Sequence, residues 1–242
     1  MTPVTPPPEL SPCDADSALW CEISAGDFEH RPALFLDRDG VIVEDTRYLG
    51  RAEDMRMLRG ASNAIAKCNR LGIPVVLVTN QSGIARRLHD WQGFHGVQGA
   101  LSAALANDGA HMDAVFACAH HADGSAPFNV ADHPWRKPNP GMVLAAGRRM
   151  KLDLSHSWIV GDRASDIAAG RAAHLAGGIL ISPRQDDPER QAVTGLKAQG
   201  FIVDISVSLE DAVSLLLSQG RLSAGTPQRG SAFSATGSRS PK

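Results

Sequence analysis

The chain has 242 residues, 43% hydrophobic and 21% charged, with 24 basic against 26 acidic side chains and a net charge of −2. That composition excludes wholesale disorder. The even charge balance, with no basic stripe, speaks against nucleic-acid binding, and no apolar run approaches the roughly 18 residues of a membrane span.

The ends differ from the middle. Pro3, Pro6, Pro7, Pro8 and Pro12 crowd the first 30 residues, and the last 22 are mostly Ser, Gly, Ala, Arg and Pro. Neither stretch offers enough apolar surface to offset its ordering entropy. The expected organisation is a Pro-rich, partly irregular extension over 1–30, one domain over 31–219 and a disordered tail over 220–242. No basic region followed by an apolar core opens the chain, so no secretory leader is expected. Cys13, Cys21, Cys68 and Cys118 have no disulfide-framework spacing, and two fall in the expected extension. A reducing, cytoplasmic setting and a monomer are expected.

Within the domain, short apolar runs alternate with longer helical stretches. Strands are predicted over Ala33–Asp37, Pro74–Thr79, Ala114–Cys118, Trp158–Val160 and Gly178–Ile181, with a further candidate over Phe201–Ile205. These runs are continuously apolar, as in strands covered on both faces. Helices are predicted over Ala61–Leu71, Trp91–Asn107, Gly141–Met150, Ser165–Leu175, Glu189–Gln199 and Leu209–Ser218. The second is weak on propensity, because Gly93, Gly96 and Gly99 lie inside it. The alternation implies an α/β fold, Rossmann-like, with a parallel sheet and helices on both faces. Two polar stretches, Val41–Leu58 and Ala119–Pro140, interrupt it as short flap and loop inserts; no large cap domain is expected. Both leave from the C-terminal ends of strands, where open α/β sheets bind ligands.

Chemistry-bearing residues gather at those ends. The first strand runs into Asp37-Arg38-Asp39-Gly40. Two carboxylates at the tip of a buried strand are costly unless a cation compensates them, and a hard cation such as Mg²⁺ would do so. Taken alone, the same four residues are equally a solvated turn. The second strand ends in Thr79-Asn80-Gln81-Ser82-Gly83, either a donor-rich phosphate cradle or a polar helix cap. The fourth ends in Gly161-Asp162-Arg163 with Asp166 following, and Arg136-Lys137-Pro138 supplies paired cations just before a helix. Each part has a bland structural reading; the conjunction is more specific. Carboxylates for a metal, Thr and Lys for phosphate oxygens and one Asp free to attack match an aspartyl-phosphate chemistry.

The strings LFLDRDGVI, VVLVTNQSGIAR, RKPNPGM and IVGDRASDI resemble the haloacid dehalogenase (HAD) superfamily of phosphohydrolases over residues 31 to 182. TNQSGIAR, RKPNPGM and the segment from Glu44 to Tyr48 are similar to the branch of D-glycero-D-manno-heptose 1,7-bisphosphate 7-phosphatases and histidinol-phosphatases. That resemblance implies Asp37 as nucleophile and Asp39 as general acid–base. It implies Mg²⁺ on Asp37, the Asp39 carbonyl and Asp162, and Thr79 and Lys137 on the transferring phosphoryl group. It further implies substrate contacts from Asp45, Tyr48, Asn80, Gln81, Ser82 and Arg136, and from Arg163 where the family often has Lys. Asp166 either orients its neighbours or touches the metal.

Many members of the branch carry a zinc loop, C-x-H, a gap, then C-x-C before RKP. Here Cys118 and His120 keep the first half, but the second reads His133-Pro134-Trp135, and Trp135 cannot ligate. A metal-free loop is therefore expected, with Cys118, His120 and His133, and His121 nearby, as residual candidate ligands. The implied activity is hydrolysis of a small sugar phosphate, heptose 1,7-bisphosphate foremost, on the route to activated heptose for lipopolysaccharide core. The alternatives are histidinol phosphate, a polynucleotide 3′-phosphate, or a non-catalytic binding module. The neutral charge counts against the polynucleotide, and the intact set of Asp37, Asp39, Thr79, Lys137 and Asp162 against the binding module.

Overall fold

The apolar runs pair into one sheet. In a computed structural model that describes residues 16–223, the strands are β1 (Leu19–Ile23), β2 (Leu34–Leu36), β3 (Val75–Asn80), β4 (Ala114–Cys118), β5 (Trp158–Gly161), β6 (Gly177–Ile181) and β7 (Ile202–Ser206). Their spatial order is β1-β4-β3-β2-β5-β6-β7. Every pairing is parallel except that of β1, which runs antiparallel to β4 with Leu19 opposite Cys118. Strand β2 is central: Leu34 faces Val75 on one side and Trp158 on the other. The chain departs from β2 toward β3 and β4, then returns to its other side with β5. Such a reversal opens a crevice at the strands' C-terminal ends.

Helices α1 (Ala61–Arg70), α2 (Ser82–Ala85), α3 (Trp91–Asn107), α4 (Gly141–Met150), α5 (Ala164–Ala172), α6 (Pro188–Thr194) and α7 (Leu209–Ser218) cover both faces. The two-residue period of a strand divides the core. Leu34 and Leu36 join Ile65, Phe94, Leu101 and Leu216 of α1, α3 and α7. Phe35 joins Met142, Val143 and Ile167 of α4 and α5 on the opposite face. Continuous hydrophobicity along β2 follows from this two-sided burial. No helix among the described residues is long and apolar enough to cross a membrane.

The expected domain boundaries change. Residues 19–23, assigned above to the extension, are an edge strand of the sheet. Trp20 packs on Trp91 and Phe94 with ring centroids 5.6 and 5.5 Å away, while Leu19 and Cys21 are buried on the other face. Two of its five residues, Glu22 and Ile23, are exposed, so its pattern is weak; partners distant in sequence make it a strand. Helix α3 also forms in full despite its glycines. Asp90 caps it by accepting from the Gly93 N–H at 2.8 Å, and burial of Phe94, Val97, Leu101 and Leu105 outweighs the propensity cost. The candidate strand at Phe201 is present as β7. At the other end Leu222 is buried and the Arg221 guanidinium pairs with Asp204, so packing continues past 219. Cys13 and the rest of 1–15, like 224–242 of the expected tail, lie outside the described residues.

Candidate active site

The site is assembled from the tips of β2, β3 and β5. Asp37 leaves β2 with its N–H bonded to Val160 O at 3.0 Å, which holds the tips of β2 and β5 together. Lys137 arrives from the 119–140 insert and is buried. Its ammonium donates to Asp37 Oδ1 at 2.8 Å and to Val78 O at 2.7 Å, and lies 2.7 Å from Asp166 Oδ1. An ammonium has three protons, and all three are engaged. Burial works against its charge, but Asp166 and Asp37 outweigh that and raise its pKa, so Lys137 stays protonated. Asn80 fixes the approach of this residue: its amide accepts from Lys137 N–H at 3.1 Å and donates to Lys137 O at 3.0 Å.

Asp39, two residues on, is held by a buried cation. Arg38, 1% exposed, donates through Nε and Nη2 to Asp39 at 3.1 to 3.2 Å and lies over the Phe94 ring at 5.5 Å. Burial raises the Asp39 carboxyl above its ordinary value, Arg38 opposes the rise and Asp37 adds to it. A raised carboxyl is what a proton donor at neutral pH requires. Gly40 makes the turn possible: with φ +76°, it sits where a Cβ would meet Asp162 Oδ2 at 2.5 Å.

Asp37, Asp162 and Asp166 each place an oxygen within 4.8 Å of the others. One carboxylate oxygen of Asp162, Oδ1, is buried with no hydrogen-bond partner. Burial first, then Asp37 and Asp166, push the Asp162 carboxyl up to about 8. A buried, unpartnered oxygen beside two further carboxylates fits a hard divalent cation, whose charge would reverse each of those penalties. The Asp39 side chain, turned to Arg38, is outside this trio.

These groups border a cavity of about 470 Å³. Of the residues expected to touch substrate, Asp45, Tyr48, Asn80, Ser82, Arg136 and Arg163 line it. Arg163 Nη2 lies 3.4 Å from Asp45 Oδ2, closing one side. Two are placed differently. Gln81 is buried; its amide nitrogen donates to Thr79 Oγ1 at 2.8 Å and its oxygen accepts from Arg38 at 3.2 Å. It stands behind the acids rather than on the cavity wall, because Arg38 occupies its polar end. Thr79 is likewise 1% exposed at the tip of β3.

The comparisons with known proteins follow this geometry. A HAD-hydrolase-like family model matches residues 134–190. The D-glycero-β-D-manno-heptose-1,7-bisphosphate 7-phosphatase of Mesorhizobium japonicum is 42% identical over 208 residues, 85% of this chain and 94% of that protein. The chain is a HAD-superfamily phosphatase. Within the superfamily it belongs with the heptose-bisphosphate phosphatases. Among solved structures, a HAD-like phosphatase of Mesorhizobium loti matches with TM-score 0.73 and 40% identity, over 84% of this chain and 95% of the other. The D,D-heptose 1,7-bisphosphate phosphatase of B. bronchiseptica, complexed with magnesium and phosphate, matches with TM-score 0.65 and 29% identity, over 78% and 99%.

This HAD phosphatase arranges its zinc-loop remnant around a residue that sequence reasoning missed. Asp16, just before β1, accepts from His120 Nε2 at 2.9 Å, and its Oδ2 lies 3.4 Å from His133 Nε2. The two imidazoles stack at 4.2 Å. Cys118 Sγ is 3.9 Å from His133 Nδ1, but burial raises that thiol to about 12, so it is a neutral core group. Trp135 fills the space beside it, 5.8 Å from the Phe116 ring. Three other lining residues were also missed, Arg47, Arg86 and Ser165, and His121, expected only as a residual metal ligand, lines the cavity too. Arg86 closes the TNQSGIAR string and could have been taken from it; Asp16 carried no local signal.

Proposed function

We propose that this phosphatase removes the 7-phosphate of a D-glycero-D-manno-heptose 1,7-bisphosphate through an aspartyl-phosphate on Asp37. The observation that carries the chemistry is Lys137, buried between Asp37 and Asp166 at the tips of parallel strands. Its ammonium, 2.8 Å from Asp37 Oδ1, holds that carboxylate in place. Attack by Asp37 on phosphorus forms the Asp–O–P bond and breaks the bond to the sugar oxygen, and Asp39 gives that oxygen its proton. Asp39 then takes a proton from the water that attacks phosphorus, which frees phosphate and restores Asp37. The Lys137 donor now on Asp37 is the one available to a phosphoryl oxygen. Thr79 accepts from Gln81 and so keeps its own hydroxyl proton to donate. Asp37, Asp162 and the Asp39 carbonyl would hold Mg²⁺, which would lower the repulsion between a carboxylate nucleophile and a phosphate dianion.

The substrate reading is supported by the names of the similar proteins and by the cavity's polar wall. Asp45, Tyr48 and Asn80 offer hydrogen-bonding partners to a polyhydroxylated sugar. Arg136, anchored by Nη1 to His120 O at 3.0 Å, offers a guanidinium to the second phosphate. Phosphate release with Mg²⁺ present tests it against histidinol phosphate and a 3′-phosphorylated oligonucleotide. The heptose bisphosphate should give the highest kcat/KM; a higher value for histidinol phosphate overturns the substrate and leaves the phosphatase standing.

A further inference from the structure

The cavity has a wall that the residues assigned so far do not explain. Arg86 and His121 line it together with Arg136. Arg86 Nη2 donates to Asp123 Oδ2 at 3.0 Å and stands 3.3 Å from each ring nitrogen of His121. Its Nε is buried with no hydrogen-bond partner, so half of the guanidinium edge lacks an acceptor. Burial, then Arg136 and Arg86, lower the pKa of His121, as expected where two guanidiniums crowd one imidazole. Among the described residues Asp123 is the one carboxylate paired with this group, and its side chain is 71% exposed. The cavity is thus polarised, with carboxylates gathered at the Asp37 end and two guanidiniums here beside the exposed Asp123.

The wall is also fixed in place. Ser125 N–H donates to Ala85 O at 2.7 Å. A Cβ on Gly124 would lie 2.8 Å from that of Ala85, so the insert is seamed onto α2. Arg86 and His121 are thus presented by two segments bonded to each other.

We infer that Arg86, with His121 beside it, forms with Arg136 an anion subsite that grips the non-reacting phosphate of a bisphosphorylated sugar. This rests on the reading of the substrate as a bisphosphate. Asp123 offers Arg86 a single exposed acceptor; a phosphate brings three oxygens and two charges to a planar fork that suits them. Arg86 is then a specificity determinant, and Asp123 its competitor.

The test compares kcat/KM for two pairs: heptose 1,7-bisphosphate against heptose 7-phosphate, and fructose 1,6-bisphosphate against fructose 6-phosphate. In wild-type protein the bisphosphate should be preferred. Arg86→Gln should lower the bisphosphate-to-monophosphate ratio by about ten- to a hundredfold, the range for losing a hydrogen bond to a charged group. Asp123→Asn, an exposed change that leaves the packing alone, should raise the ratio by releasing Arg86. Equal losses on both members of a pair, an unchanged ratio in Arg86→Gln, or a fall in Asp123→Asn would overturn the subsite. So would a wild-type protein without bisphosphate preference for either sugar. A preference confined to the fructose pair, lost in Arg86→Gln, keeps the subsite and rejects the heptose reading.

Discussion

Two clusters of ligand-type side chains lie at the same end of the sheet, and they differ in charge. At the tips of β2 and β5, four carboxylates (Asp37, Asp39, Asp162 and Asp166) share two buried cations, Lys137 and Arg38. Beside β4, one carboxylate, Asp16, sits between two imidazoles. The first cluster has negative charge left over after every internal pairing, which shows as an unpartnered Asp162 oxygen. The second holds its one carboxylate against both imidazoles. Residue types alone would mark both as metal sites; the difference is whether the protein's own groups neutralise the charge.

That comparison can be broken in several ways. The largest effect belongs to the first cluster: Asp37→Asn should remove turnover while leaving the thermal midpoint near wild type. Asp39→Asn should lower kcat by about 10² to 10⁴-fold, the usual share of a general acid. Appreciable turnover in Asp37→Asn would take the nucleophile role from it. Chelation should likewise abolish phosphate release, and Mg²⁺ alone should bring it back. Elemental analysis of protein purified without added zinc should show well under one zinc per chain. A stoichiometric zinc surviving dialysis would place His120 and His133 in a true metal centre and erase the contrast.

Stability sharpens the same point. Lys137→Met leaves Asp37 and Asp166 facing each other without a cation and should cost about 3 to 5 kcal/mol in urea unfolding. Asp16→Asn cuts the second cluster, which is partly open to water, and should cost only about 1 kcal/mol. Comparable costs would mean that the two clusters are not different in kind. The pH dependence has a definite sign. Asp162 titrates near 8 in the folded protein against 3.8 for an ordinary Asp. Between those values the unfolded chain has lost the proton that the native state retains, so this group lowers the stability of metal-free protein as pH rises. A thermal series from pH 4 to 8 should show that slope, smaller in Asp162→Asn and reduced by Mg²⁺.

The acids were legible in the sequence because each follows an apolar strand, and strand tips in a parallel sheet share one edge. Asp37 and Asp162 converge for that reason, and the 119–140 insert brings Lys137 between Asp37 and Asp166. What stayed hidden depended on pairing between distant segments. Arg38 lies inside the DRDG string, but nothing local says that a guanidinium will be 1% exposed, since Arg is seldom buried. The resemblance implied Gln81 as a substrate contact; Arg38, packed behind its turn, claims its amide. Asp16 lies 104 residues before His120 in a stretch that looks like tail. Only the antiparallel addition of β1 brings the two together.

That added strand bears on how the protein behaves at high concentration. Strand β1 covers the outer edge of β4, five apolar residues from Ala114 to Cys118, with Ala18 O also taking the Ala119 N–H at 2.8 Å. Removing residues 16–23 would bare a flat, uncharged row of backbone donors and acceptors, which is a template for pairing between molecules. The Asp16 carboxylate, by holding the start of β1 to the two imidazoles, is a latch on that cover. A chain trimmed to the apparent start of the catalytic domain would thus be lost to aggregation before it was lost to chemistry.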